Sequence, residues 1–318
     1  MVKRYSFYKC SLSFIIPLVF FSLFAIFSIH TEAFAKEVKQ KTFASPEEAV
    51  NAFIGALKVD NEEEILAIMG KEIEEIIYSG DKVADKKNRE KFLKSYEEKH
   101  SIEQKAPDNM VLSLGNDDWP FPIPVVKKGK TWQFDTKAGK EEMLNRRIGR
   151  NELSVIEVLQ AYVDAQHEYA SKDYDGNGDA DFAQKLWSSE GKKDGLYWEA
   201  KDAEEISPMG PLVAEAASEG YKRSATGEPA PYHGYYLKML KAQGKNALGG
   251  KYNYVVNGKM ILGFAALAYP AKYGNSGIMT FMVNQQGIVY QKDIGKNSEK
   301  AAKAINIYDP DKTWKKVE

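Results

Sequence analysis

The chain has 318 residues, 43% of them hydrophobic and 28% charged, with a formal net charge of −1. That is ordinary globular composition, too long for one small core, and its near balance of charge gives no broad attraction to nucleic acid or to an anionic surface. Its one cysteine, Cys10, lies in the first ten residues, so the rest of the chain has no disulfide, thiol nucleophile or thiolate metal ligand.

The basic start MVKRYSFYKC leads into an apolar run, Ser11 to Ile29, and then the small-x-small triplet Ala33, Phe34, Ala35. This order predicts a secretory signal over residues 1–35 cut after Ala35, with an uncleaved anchor as the alternative. Cys10 precedes the apolar run rather than following it, which argues against lipid attachment. Cleavage removes Lys3, Arg4, Lys9 and Glu32, leaving 41 basic and 44 acidic residues, a formal charge of −3. A periplasmic or secreted location follows, with no span retained after cleavage.

Ser45, Pro46 and Glu48 form a capping-box start for a helix to about Lys58. Asp60 and Gly70 bracket a second short helix, and a charged third covers roughly Asp81 to His100. NMVLSLG and PIPVVKKGKTWQFD read as strands, the latter folded at Lys128 and Gly129. A long helix is expected from about Arg150, with Leu153, Ile156, Leu159, Tyr162 and Val163 as its apolar stripe. Pro208 opens a helix that Gly220 ends, and the remainder is rich in strands, the last two turned at Asn284 to Gly287. The expected fold is α+β with a signal at 1–35, an N-terminal α+β domain at 36–149, and a C-terminal domain at 150–318 with a long helix on an antiparallel sheet.

RRIGRNEL, DGLYW, SPMGPL, PYHGYYLKML, GFAALAYPAKYGNSGIMTFMVN, GIVYQKDIG and YDPDKTW together resemble the bacterial exported proteins grouped as domain of unknown function family 2950. The resemblance implies a Gram-negative envelope setting and brings no activity. The order of a long helix, a variable region and a sheet ending in SGIMTFMVNQQGIVY is similar to the heads of type II secretion pseudopilins. The N-terminal unit, mainly through KKGKTWQFD, is similar to a nuclear transport factor 2-like cone. Fold analogies of this kind do not fix function.

DYDGNGDADFAQ places Asp173, Asp175, Asn177, Gly178, Asp179, Asp181 and Gln184 at positions one, three, five, six, seven, nine and twelve of an EF-hand-like loop. Alternate oxygen donors on a loop that winds round one cation would make a calcium site, with one helix entering and a shorter one leaving. Gln184 stands where a bidentate glutamate belongs and Ala180 where a branched apolar residue belongs, so affinity would be weak, about 0.1 to 1 mM. The competing reading is an Asp/Gly/Asn turn held by its own side-chain to backbone bonds.

No pair among His100, His167 and His233 has zinc-ligand spacing, and phosphate-cradling and nucleophile-elbow motifs are absent. His233, with Tyr235 and Trp198, forms a candidate surface site in which an imidazole beside a glycine could act as acid, base or ligand. Such a histidine is more often a hydrogen-bonded packing element. Arg146, Arg147 and Arg150 lie close to Glu152 in sequence and suit a clamp between domains or an anion site. The favoured function is non-catalytic binding or assembly support for an envelope protein or glycan; the rival is a hydrolase acting on cell-wall or carbohydrate material.

Overall fold

Ser45 opens the first helix as its spacing predicts: its Oγ accepts from the Glu48 N–H at 3.2 Å, while Glu48 Oε2 accepts from the Ala44 N–H at 3.1 Å. This computed structural model describes residues 39–176, 178–200, 206–222 and 230–317; the expected signal at 1–35 lies outside them. Helix α1 (Pro46–Lys58) turns an apolar face inward through Ala49, Val50, Phe53, Ile54 and Leu57. Helix α2 (Glu62–Met69) follows, capped by Asn61, and a 3₁₀ turn at Lys71–Ile73 leads into the single-turn α3 (Glu74–Ile77). Helix α4 (Lys82–Glu98) begins at Asp81, whose carboxylate accepts from the N–H groups of Val83 and Ala84.

An antiparallel sheet comes next: β1 (His100–Ala106), β2 (Asn109–Leu114), β3 (Trp119–Pro120), β4 (Val125–Lys128) and β5 (Thr131–Phe134). Its order is β1-β2-β4-β5, with β3 on the far part of β2 and a register shift in β1 between Gln104 and Ala106. α1, α2 and α4 pack on this sheet over a core in which Leu112, Ile123, Val125 and Phe134 are sealed from water, each such side chain contributing about 1.5–3 kcal/mol. The charged third helix ends at Glu98, within two residues of the expected boundary, and β1 follows it. HSIEQKA has no apolar stripe, and pairing with β2 decides its conformation.

Helix α5 (Thr136–Tyr169) has 34 residues, about 51 Å at 1.5 Å per residue. It starts at Thr136, capped by Asp135, rather than near Arg150. The polar run KEEMLNRRIGR lacks a clear stripe but is made of good helix formers. α5 passes through Gly149, the residue expected to divide two domains, and serves both cores: Met143 packs on the first, while Val155, Leu159, Tyr162 and Val163 sit in the second. Leu153, expected on the apolar stripe, is 66% exposed and Val155 is buried instead. At 3.6 residues per turn Leu153 lies about 120° round the helix from Leu159, off the face that Val155, Leu159, Tyr162 and Val163 share.

After α6 (Gly210–Ser218), the second sheet runs β6 (Tyr235–Leu240), β11 (Ala265–Pro270), β12 (Met279–Asn284), β13 (Tyr290–Asp293) and β14 (Lys315–Lys316) as an antiparallel meander in chain order. β11 is buried along its whole length, and α5 packs on β11 and β12. Two small hairpins interrupt the meander, β7 (Ala242–Gln243) with β8 (Tyr252–Asn253), and β9 (Val255–Val256) with β10 (Lys259–Met260). Helix α7 (Ser298–Ala304) lies against β11. The fold is α+β with antiparallel sheets. Among the described residues, no helix is long and apolar enough to cross a membrane.

Candidate functional site

Between the two cores runs a polar seam built on the middle of α5. Arg147, 8% exposed, donates from Nη1 to Asn275 Oδ1 at 2.6 Å and to the Glu75 carbonyl at 3.2 Å, and from Nη2 to the Ile76 carbonyl. Asn275 Nδ2 donates to the Glu75 carbonyl at 2.6 Å. These carbonyls lie at the end of α3, where a helix leaves its acceptors unpaired and favours a cation. Asp85 on α4, also 8% exposed, accepts from the Ser79 N–H through Oδ2 at 3.0 Å, while its Oδ1 has no hydrogen-bond partner. Burial pushes the Asp85 carboxyl above the ordinary aspartate value, and the charge of Arg147 opposes that rise.

About one turn further along α5, Asn151 Nδ2 donates to the Ser276 carbonyl at 2.8 Å. Glu152 Oε1 accepts from the N–H groups of Ile278 and Met279, each at 2.9 Å. The Tyr235 hydroxyl donates to the Met279 carbonyl at 3.0 Å with Glu152 Oε1 3.5 Å away. Burial, followed by the Glu152 charge, pushes Tyr235 well above the usual phenol range. Gly277 has to be glycine here, because a Cβ would overlap the Tyr235 hydroxyl.

The far end of the seam gathers on Asp81, 2% exposed. Its Oδ1 caps α4, and its Oδ2 accepts from the Tyr221 hydroxyl at 2.8 Å and the Gly234 N–H at 2.9 Å. That bond fixes a bend in which His233 has φ 46° and Gly234 φ 76°. The His233 ring lies 4.1 Å from that of Tyr232, and its Nε2 is 3.1 Å from Glu219 Oε2. The separation is that of an ion pair for a protonated imidazole, and Glu219 Oε2 makes no hydrogen bond. Glu219 Oε1 pairs with Lys87 on α4.

The candidate surface site divides. His233 and Tyr235 are at the seam beside Glu152, whereas Trp198 is 7% exposed and packs on Tyr174, which in turn stacks on Tyr169 at the C-terminal end of α5. Glu152 and Tyr169 are about 25 Å apart along the helix. Of the three arginines, Arg147 is the clamp. Arg146 pairs with Glu142 at 2.6 Å and lies over the Trp119 ring, and Arg150 is exposed.

In the acidic loop, Asp173 Oδ2 accepts from the Gly178 N–H at 2.9 Å, and Gly176 and Gly178 have positive φ. Asp179 pairs with Lys259. Asp175 and Asp181 line one cavity of about 210 Å³ together with Tyr169, Gln184, Asp194 and Lys241. Asp181 is 6% exposed, whereas Asp173, Asp175 and Asp179 are exposed. Gln184 donates from Nε2 to the Gly258 carbonyl at 2.6 Å and accepts from Lys241 Nζ at 3.2 Å, so its carbonyl already faces a cation. Asn177 lies outside the described residues. The short helix expected to leave the loop is replaced by extended chain, with Phe182 bridged to Met260; pairing with the β9–β10 hairpin outweighs the helical tendency of DFAQKL. Among the described residues, no group of three or more histidines, cysteines, aspartates or glutamates is placed to hold a metal ion.

Asn275 and Ser276 lie in the stretch GFAALAYPAKYGNSGIMTFMVN and Asp81 at the expected start of the third helix, but no local pattern marks them, or Asp85, as residues of the seam. The signal that touched the seam was the arginine and glutamate pattern of RRIGRNEL. A search of curated proteins and a search of solved structures give no match. The family described as "Protein of unknown function (DUF2950)" matches residues 40–317. With its two cores, shared helix and polar seam all inside the matched residues, the chain belongs to the DUF2950 family.

Proposed function

We propose that this is an exported periplasmic protein with a non-catalytic binding or assembly-support role, its N-terminal unit a nuclear transport factor 2-like cone and its C-terminal unit a pseudopilin-like head. One observation carries the reading: the groups that could have done chemistry at the seam, Arg147, Glu152, Asn275 and Asp81, are spent on backbone atoms across it. The long helix on an antiparallel meander supports the pseudopilin likeness, and helices packed on a bulged sheet support the cone. Incubating the purified full chain with cell-wall sacculi and with polysaccharides tests the absence of turnover. Binding without release of soluble fragments is the expected result. Fragment release by the wild type that His233→Ala abolishes would instead establish the rival hydrolase, which the His233–Glu219 proximity favours.

A second reading gives the loop at 173–184 a weak calcium site, for which the shared cavity of Asp175 and Asp181 speaks. Calcium at millimolar concentration would then raise Tm in the wild type and not in Asp175→Asn with Asp181→Asn, because a ligand that binds only the folded form stabilises it. Equal melting with calcium and with chelator would leave the loop a plain turn.

A further inference from the structure

The charge of the chain is balanced as a whole but not along its length. From Pro229 to Lys292 there is no aspartate or glutamate, against 45 in the whole chain, and there are seven lysines. Lys238 donates to the carbonyls of Lys303 and Ile305, and Lys272 to that of Tyr78. Lys241, Lys245, Lys251 and Lys259 belong to the β7–β8 and β9–β10 hairpins and their loops. The same segments expose aliphatic side chains: Leu248 is 76% exposed, Leu262 49%, Ile261 47% and Val256 36%.

The hairpins adjoin, since the Tyr254 N–H donates to the Lys241 carbonyl at 2.9 Å and the N–H groups of Ile261 and Leu262 both donate to the Tyr254 carbonyl. The outward leucine is held in place rather than left loose. Gln243, 1% exposed, donates to the carbonyls of Leu248 and Gly250, each at 2.7 Å. Gly249 and Gly250 take the positive φ this tight loop needs. Carboxylates border both hairpins: Asp175, Asp181 and Asp194 share a cavity with Lys241, Asp179 pairs with Lys259, and Asp309 accepts from the Asn246 N–H at 2.8 Å. On the Leu248 loop itself, the exposed Lys245 and Lys251 outnumber the bordering Asp309.

A protein partner would be expected to engage tryptophan, tyrosine or arginine anchors in well-packed pockets, and the chain has no arginine after Arg223. Aliphatic side chains on loop tips flanked by lysines suit a fluid apolar interface instead, with lysine stems lying along it and their ammonium groups among anionic headgroups. We propose that the two hairpins dock on an anionic phospholipid surface, with Leu248, Ile261 and Leu262 entering the interface and Lys245 and Lys251 facing the headgroups.

The full chain in a Cys10→Ser background, labelled with an environment-sensitive fluorophore through Leu248→Cys, reads this contact locally and independently of the apolar run at Ser11 to Ile29. Vesicles of equal parts phosphatidylcholine and phosphatidylglycerol should blue-shift the label, and spin-labelled lipid should quench it. A label at Leu153→Cys, on the exposed side of α5, should stay unchanged. Lys245→Gln with Lys251→Gln should weaken vesicle affinity about 30-fold. An equal response at both labels, an equal response in pure phosphatidylcholine, no response at 248, or a blue shift without vesicles from association of two copies would each overturn the proposal.

Discussion

Replacing Arg147 by methionine keeps most of the side-chain volume and removes the charge that holds the seam. The Glu75 carbonyl would still be served by Asn275 Nδ2 at 2.6 Å. The Ile76 carbonyl and Asn275 Oδ1 would be left as buried acceptors without donors, at about 1–3 kcal/mol each. Asp85 would lose the cation that, after the two bonds from Ser79, opposes the effect of its burial. Against this, the desolvation that lowers the basicity of Arg147 is relieved. Removal of one partner from a buried, hydrogen-bonded charge typically costs about 3–5 kcal/mol, and that loss is expected in urea unfolding. The Asp85 carboxyl is raised in the folded state, so the native protein holds the proton more tightly and ionisation costs stability as pH climbs from the ordinary aspartate value of 3.8 through the folded value. Arg147→Met should therefore be rescued by Asp85→Asn at neutral pH by about 1 kcal/mol or more, and less near pH 4, where the carboxyl is increasingly protonated. A loss under about 1.5 kcal/mol, or a rescue of the same size at both pH values, would refute the claim that Arg147 is the charged centre of the seam.

Gly277→Ala should cost about 1–3 kcal/mol in thermal or urea unfolding through overlap with the Tyr235 hydroxyl, and Tyr235→Phe in the same chain should recover part of it; an unchanged Tm would show that the contact relaxes freely. Asp81→Ala removes the cap of α4 and leaves the Gly234 N–H buried without an acceptor, so about 2–4 kcal/mol is expected. Tyr221→Phe, which removes the hydroxyl that donates to Asp81 and accepts from the His233 N–H at 3.3 Å, should cost about 1–2 kcal/mol, and the order of the two is checked by chemical denaturation. Burial works to raise the Asp194 carboxyl, but bonds from Lys185 and the N–H and hydroxyl of Ser189 outweigh it and hold the carboxyl down at about 2. Its contribution to stability should therefore be complete above the ordinary aspartate value and disappear as pH falls toward about 2. Carboxyl NMR titration of Asp194→Asn against the wild type would show this, and an ordinary midpoint would contradict it.

Several features of this chain are written in short stretches and can be read from them. The caps at Ser45 and Asp81 depend on residues at most four positions away, and the β6, β11, β12 and β13 strands announce themselves through runs of aromatic and branched residues between glycine and asparagine turns. The arginine and glutamate pattern of RRIGRNEL pointed to a clamp without naming its partners. The start of α5 and the extended exit from the acidic loop each went against local pattern, because contact with a distant surface decided them. The seam lies furthest from local reading, since Asn275 reaches a carbonyl 200 residues away and Gly234 a carboxylate 153 residues away. By itself the sequence determined which residues carry charge, which segments prefer helix or strand, and where the chain turns. Whether a buried arginine binds a ligand or a helix end depends on which unpaired carbonyls the fold brings within 3 Å, and only the tertiary structure decides that.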